Sequence, residues 1–163
     1  MRAIAKQSTA FIYVIFRRCL IISILAITFF ACSTPKQKEF EHLEKYFKEV
    51  HNFTLDNKIN QIFVITEGAG CSSCDKTFSK AVFEHSQSEN SVFLISATGK
   101  FIDIQPYLTL DKNCFFDCEF NREDYPEFAN SSVIFLKNHK VDTAVIINYN
   151  EIIQQLEYIE NRK

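Results

Sequence analysis

The stretch IFVITEGAGCSSCDKTFSKAV, residues 62–82, decides how the rest of the chain is read. Ile62, Phe63, Val64 and Ile65 form an unbroken apolar run rich in β-branched residues, the pattern of a central strand buried on both faces. Gly68, Ala69 and Gly70 end the run in a loop. Cys71-Ser72-Ser73-Cys74 follows at once, and Phe78, Ala81, Val82 and His85 then recur at helical spacing. The two cysteines therefore stand where a strand hands over to a helix.

Downstream, Val92-Phe93-Leu94-Ile95 repeats the buried-strand pattern and Thr98-Gly99 breaks it. Phe101, Ile104 and Leu108 predict a short helix distorted by Pro106. Residues 114–119 read as an additional strand, and residues 121–130 as a polar loop crossing the edge that carries the cysteines. Val133-Ile134-Phe135-Leu136, the turn-like Asn138-His139 and residues 141–147 predict a β-hairpin. Asn148 with Glu151 predicts the cap of a last helix whose Ile152, Ile153, Leu156 and Ile159 form one apolar stripe. Upstream, Phe40, Leu43, Phe47 and Val50 predict an amphipathic helix over 39–50. Strands alternating with helices, closed by a hairpin and a helix, give an α/β class: a three-layer sandwich with a central mixed sheet and helices on both faces.

With 47% hydrophobic and 14% aromatic residues, seventeen of them Phe and none Trp, the body is too apolar to be disordered and is the size of one domain. Residues 1–31 hold four basic residues (Arg2, Lys6, Arg17, Arg18) and no acid, so the remainder carries a formal charge of −6. A nucleic-acid partner is not expected, because phosphate binding needs a concentrated basic face. No phosphate-binding glycine motif and no nucleophile elbow occurs.

Arg17 and Arg18 precede an apolar run over 19–30 that closes on Phe29-Phe30-Ala31-Cys32-Ser33. That is the layout of a signal peptide, and the run falls short of the roughly 20 apolar residues a spanning helix needs. Its end resembles a bacterial lipobox, which implies lipidation of Cys32 as the new N-terminus; the alternative is an uncleaved signal anchor. Residues 1–31 are thus read as a lipoprotein signal peptide, 32–38 as a mobile tether and 39–163 as the domain, anchored to a membrane of the cell envelope and facing the periplasmic side.

A buried strand, a short loop, Cys-x-x-Cys opening a helix, and a closing β-β-α unit together resemble the thioredoxin superfamily from residue 59 to the C-terminus. The added strand near Cys114 and the tether look more like its TlpA/ResA-type anchored branch. The resemblance implies a thioredoxin-like fold and thiol-disulfide exchange with cysteine-containing extracytoplasmic proteins or a redox partner, without a cofactor. The chain departs from the family at three places. Gly70 stands where a tryptophan usually precedes the first cysteine, Ile65 where reductases often bury an acid, and Asn130 or Ser131 where a cis-proline faces the disulfide.

The backbone N–H groups of a first helical turn lack partners and favour negative charge, so a thiolate on Cys71 is stabilised and its pKa falls below the free value of about 8.5. Cys71 is the expected nucleophile, and Cys74, at helical spacing, the resolving thiol. Ser72 and Ser73 can donate hydrogen bonds to the thiolate. Glu67 reads as a solvated loop carboxylate that could also shuttle a proton. A static disulfide, half of a metal site and a redox-inactive descendant acting as a binding module remain the competing readings.

Cys114 and Cys118 are possible secondary thiols. On an extended strand residues four apart lie roughly 13 Å from each other, too far for a disulfide, which needs Cα atoms within about 7 Å; in a turn they could bond. A structural disulfide or two buried thiols is favoured over a relay pair. No metal is expected. Four thiols could suit zinc or copper(I), but the spacing is looser than a zinc ribbon's. His85 reads as a packed core residue, His51 and His139 as loop residues, and His42 as helix surface.

Overall fold

The computed structural model describes residues 34–67, 72–84, 88–97, 100, 102–110, 113–117, 125, 128–148 and 150–162. Cys32 and the apolar run before it, Cys71, His85 and Cys118 lie outside the described residues. The chain divides into two compact units, Met1–Pro35 and Lys36–Lys163; the sheet and its helices belong to the second. Among the described residues no helix is long and apolar enough to cross a membrane.

The fold is α/β. Helix α1 spans Pro35–His51, strand β1 Gln61–Thr66, helix α2 Ser72–Glu84, strand β2 Ser91–Ser96 and the single turn α3 Gln105–Leu108. Strand β3 follows at Cys114–Phe116, then β4 at Ser132–Leu136, β5 at Val141–Ile146 and helix α4 at Ile152–Glu160. The five strands form one mixed sheet in the order β3-β2-β1-β4-β5. β1 runs parallel to β2, with Phe63 opposite Phe93, and antiparallel to β4, with Phe63 opposite Val133. β2 and β3 are parallel, and β4 and β5 antiparallel.

Every residue of β1 is buried, as the unbroken apolar run requires of a strand covered on both faces. Its alternating side chains feed two cores. Ile62 and Val64 join Val92, Leu94 and Ile134 under α1, which contributes Phe40, Leu43, Tyr46 and Phe47. Phe63 and Ile65 join Phe93, Ile95 and Val133 on the other face, beneath Phe78 and Val82 of α2, Tyr107 of α3 and Ile159 of α4. Phe63 and Phe93 stack across the parallel pair at 5.3 Å between ring centroids.

Several sequence expectations shift. Helix α1 begins at Pro35 and not at residue 39, so the expected tether loses residues 35–38 to the helix. Proline is preorganised for a first helical position and its missing N–H costs nothing there. The fourth apolar position of α1 is Tyr46, whereas Val50 is 51% exposed. The helix ends as Asn52 turns left-handed (φ 52°) and Phe53 N–H reaches back to the Phe47 carbonyl at 3.0 Å. Pro106 does not distort α3, because it sits in the first turn. Among the described residues there, Ile102 and Tyr107 are buried and Leu108 is 54% exposed; Phe101 lies outside the described residues.

The strand expected over 114–119 is a ladder over Cys114–Phe116, extended by Asp117 N–H to the Ile95 carbonyl (3.0 Å). Phe128 is fully buried in the α1 core and Tyr125 packs against it, so the segment read as polar supplies aromatic core. The hairpin turn is Asn138-His139, both at positive φ (52° and 54°), with Lys137 and Lys140 exchanging backbone bonds of 2.9 and 3.2 Å. Two consecutive left-handed residues make a type I′ turn, whose twist suits a two-residue hairpin.

Glu151 occupies the N-cap of α4 without a side-chain bond, so the expected Asn148/Glu151 box does not form. Gln155 does that work: its Oε1 accepts from Asn148 N–H and its Nε2 donates to the Ile146 carbonyl, each at 2.8 Å. Ile153 leaves the stripe and is 71% exposed. The open edge of β5 is further blunted by Lys36 Nζ donating to the Asp142 carbonyl and by Arg162 paired with the Asp142 carboxylate at 2.9 Å.

Phe47 is fully buried with rings of Tyr46, Phe53, Phe115 and Phe128 around it. Phe47→Ala is expected to destabilise the protein by about 3–5 kcal/mol, while Ile153→Ser changes it by no more than about 0.5 kcal/mol. Urea unfolding followed by circular dichroism measures both; similar midpoints for the two variants would contradict the assigned core.

Candidate functional site

The parallel strands β1, β2 and β3 end on one edge, and loops beyond such carboxyl ends are where α/β sheets usually hold their chemistry. β1 reaches this edge at Thr66, and α2 leaves it at Ser72 with Cys74 in its first turn. Cys71 directly precedes α2 in sequence, outside the described residues, as do the lipidation candidate Cys32 and the secondary thiol Cys118. The positive end of a helix dipole lies at its first turn, which here carries Cys74.

The end of β1 is held by side chains once the β4 ladder stops at Ser132. Thr66 N–H donates to Ser131 Oγ at 3.1 Å, and the same hydroxyl donates to the Thr66 carbonyl at 3.3 Å. Both residues are buried, so these bonds satisfy backbone groups that water cannot reach. Ser132 Oγ, buried on the α1 face beside Val64, has no hydrogen-bond partner among the described residues. Glu67 continues the ladder through its N–H to the Ser96 carbonyl (3.3 Å). Its carboxylate is half-buried and accepts from Ile102 N–H at 3.0 Å, which ties the β1 exit to the segment before α3; it is not the solvated carboxylate expected.

Asp75 was not singled out by motif reasoning. It is 7% exposed in the first turn of α2, directly after Cys74. The signal for it was its place on the buried stripe with Phe78, Ser79 and Val82. A carboxylate at a helix N-terminus is stabilised by the dipole, while its charge opposes a second anion close by.

A second polar cluster lies at the end of β3. Tyr46 of α1 donates its hydroxyl proton to Asp117 Oδ2 at 2.7 Å, and His51 Nε2 stands 3.2 Å from the Tyr46 hydroxyl oxygen. Because the tyrosine proton is committed to Asp117, His51 is the donor in its bond to the hydroxyl. Burial, followed by the bond to Asp117, pushes the Tyr46 pKa up, and burial lowers that of His51 against the pull of Asp117. His51 ends α1 half-buried over Phe115 (4.8 Å) and is not the loop residue expected, whereas His42 is the exposed helix residue expected, stacked on Tyr125 (4.7 Å), and His139 the exposed turn residue expected, edge-on to Phe40 (5.3 Å). Among the described residues no group of His, Cys, Asp and Glu is placed to hold a metal ion.

Cys114 carries a free thiol on the α2 face of β3, away from the Tyr46 cluster. Burial pushes its pKa up to about 11. It is therefore the electrostatic opposite of a thiol at a helix N-terminus. At pH 8 its thiolate population is on the order of 100-fold below that of an ordinary cysteine. Timed alkylation followed by peptide mass spectrometry of the reduced protein is expected to label Cys71 well before Cys114; equal rates would contradict the buried assignment. Comparison of the chain with protein-family models, with curated proteins and with solved structures returned no match.

Proposed function

We propose that this protein is a thioredoxin-like thiol-disulfide oxidoreductase, anchored at the cell envelope through Cys32, that exchanges a Cys71/Cys74 dithiol with extracytoplasmic proteins. The observation that carries the reading is a fully buried strand, β1, followed by a helix with Cys74 in its first turn. The parallel β1/β2 pair, the antiparallel β4/β5 hairpin and the closing α4 support it as well. Local burial is consistent with the roles, because an amphipathic α2 packed on the sheet through Phe78 and Val82 holds its N-terminus rigidly toward the edge.

In the proposed step the Cys71 thiolate attacks one sulfur of a substrate disulfide, forming a mixed disulfide and releasing the other substrate sulfur as a thiolate that takes up a proton. The Cys74 thiol then gives up its proton and attacks the Cys71 sulfur. The second substrate thiolate leaves, so the substrate gains two electrons and Cys71–Cys74 becomes the disulfide. The reverse sequence oxidises a substrate dithiol. Asp75, the buried carboxylate next to Cys74, is the group suited to take the Cys74 proton.

One observation favours a second reading, a redox-inactive thioredoxin-like binding module. Where the family carries a proline facing the disulfide, Ser131 stands with its hydroxyl bound to both backbone groups of Thr66. In that reading the cysteines only brace the loop, and the motif has a potential far below that of its compartment with no turnover of a model disulfide.

Trapping separates the two. Cys74→Ala is expected to accumulate mixed disulfides with envelope proteins, visible as reducible adducts on non-reducing gels and absent from the Cys71→Ala/Cys74→Ala variant. No adduct, together with no reduction of a model protein disulfide by the parent protein, would leave the binding module as the surviving reading.

A further inference from the structure

Helix α2 carries a second feature on the side that faces α3. A cleft of about 330 Å3 opens there, a size within the range of small binding sites. Lys76, Lys80 and Phe83 form its α2 wall, and Pro106 and Tyr107 the opposite side. Tyr107 is 1% exposed; its hydroxyl donates to the Ser79 carbonyl and lies 3.1 Å from Ser79 Oγ, so the floor is fixed before any ligand arrives. The Phe83 ring meets Tyr107 edge-on at 5.6 Å and is only half-buried, which leaves an apolar surface open at one end of the cleft. Asp103 stands on the α3 rim, where its Oδ1 accepts from Gln105 N–H at 3.1 Å.

Charge separates this cleft from a bare apolar gap. Lys76 and Lys80 are exposed, and among the described residues neither makes an ion pair. They are four residues apart on one helix face, about 6 Å along the axis. Alternate side chains of an extended peptide are separated by about 6.6 Å, so two acidic residues at alternate positions match the pair. The chain after residue 31 carries a formal charge of −6, whereas this cleft sets two ammonium groups against the single carboxylate of Asp103, so its charge runs against that of the molecule. Such a combination complements an acidic segment that brings an apolar anchor.

We propose that the α2/α3 cleft is a docking site for an extended acidic segment of a partner protein, with carboxylates against Lys76 and Lys80 and an aromatic or large aliphatic side chain against Phe83, Pro106 and Tyr107. The proposal deepens the exchange reading and rests on it in one respect, that the docked segment belongs to a thiol-exchange partner. Lys76 stands one turn after Ser72 on the same face of α2, and Lys80 one turn further on. A segment held along this wall therefore lies beside the first turn of α2, and acidic residues near a partner's cysteine would select it for exchange.

The test uses the full-length protein in neutral detergent and a fluorescent, cysteine-free peptide with two glutamates at alternate positions and a phenylalanine beyond them. Fluorescence anisotropy is expected to show saturable binding that weakens as salt rises. The Lys76→Glu/Lys80→Glu variant is expected to bind at least about tenfold more weakly, Phe83→Ser to lose affinity for the same peptide, and Lys137→Glu/Lys140→Glu at the distant hairpin turn to bind as the parent does. All substituted lysines are exposed, and circular dichroism confirms that each variant folds. No binding, or equal binding by the Lys76/Lys80 variant, would overturn the proposal. So would lysine-dependent binding to vesicles of anionic phospholipid without peptide binding, which would make the cleft wall a lipid-facing surface. A disulfide-containing version of the peptide keeps the two readings apart. Binding without turnover removes the exchange reading and leaves the docking site, whereas turnover insensitive to Lys76→Glu/Lys80→Glu removes the docking site alone.

Discussion

The structure depends on the double burial of β1. Ile62 and Val64 point into one core, Phe63 and Ile65 into the other, and the strand is hydrogen-bonded to β2 on one side and β4 on the other. A strand in this position has no solvent-facing side chain and no free backbone edge, so a slip of one residue would exchange its two faces at once. Its exit point is therefore defined to within a residue. The helix that follows inherits that definition, because Phe78 and Val82 pack on the same face as Phe63 and Ile65.

At the exit the backbone outruns the ladder, and side chains complete it. Ser131 satisfies both groups of Thr66, and Glu67 caps the N–H of Ile102. These bonds join β1, the approach to β4 and the approach to α3 into one polar rim at the carboxyl end of β1. Burial magnifies their value, since an unpaired backbone group there would cost about 1–3 kcal/mol. Local surroundings set the character of the ionisable groups as well. A helix N-terminus favours an anion in its first turn, where Asp75 already sits, while the thiol of Cys114 within the sheet layer is held protonated.

Much of the fold was legible in the sequence. The apolar runs at 62–65, 92–95 and 133–136 are strands, the 138–139 turn is a hairpin turn, and the 3.6-residue stripes are helices. These signals are strong because each element's period must match the face it buries. The misplacements fall where elements are short or terminal. Leu108, Val50 and Ile153 sit at apolar positions of their patterns but at helix ends or on a single turn, where little of the helix faces the core. Phe128 went the other way, taken for part of a polar loop although it fills the space beside Tyr46 and Phe47. Of the candidate site, the cysteine motif and the place of Cys74 in a helix after a strand were readable, whereas Asp75, the bonds of Ser131 to Thr66 and the Tyr46–Asp117–His51 cluster were not.

The sequence by itself determined which segments are strands and helices, that the sheet is mixed and covered on both faces, and that a helix with Cys74 in its first turn follows a buried strand. Those are consequences of local period and composition, which each segment carries alone. Only the tertiary structure decided which polar groups meet. Tyr46 and Asp117 are 71 residues apart, and Thr66 and Ser131 are separated by 65. It also decided that Lys76 and Lys80 line a cleft with Tyr107. Contacts of that kind arise where separate elements are pressed together by burying their apolar faces, and no single segment's pattern contains them.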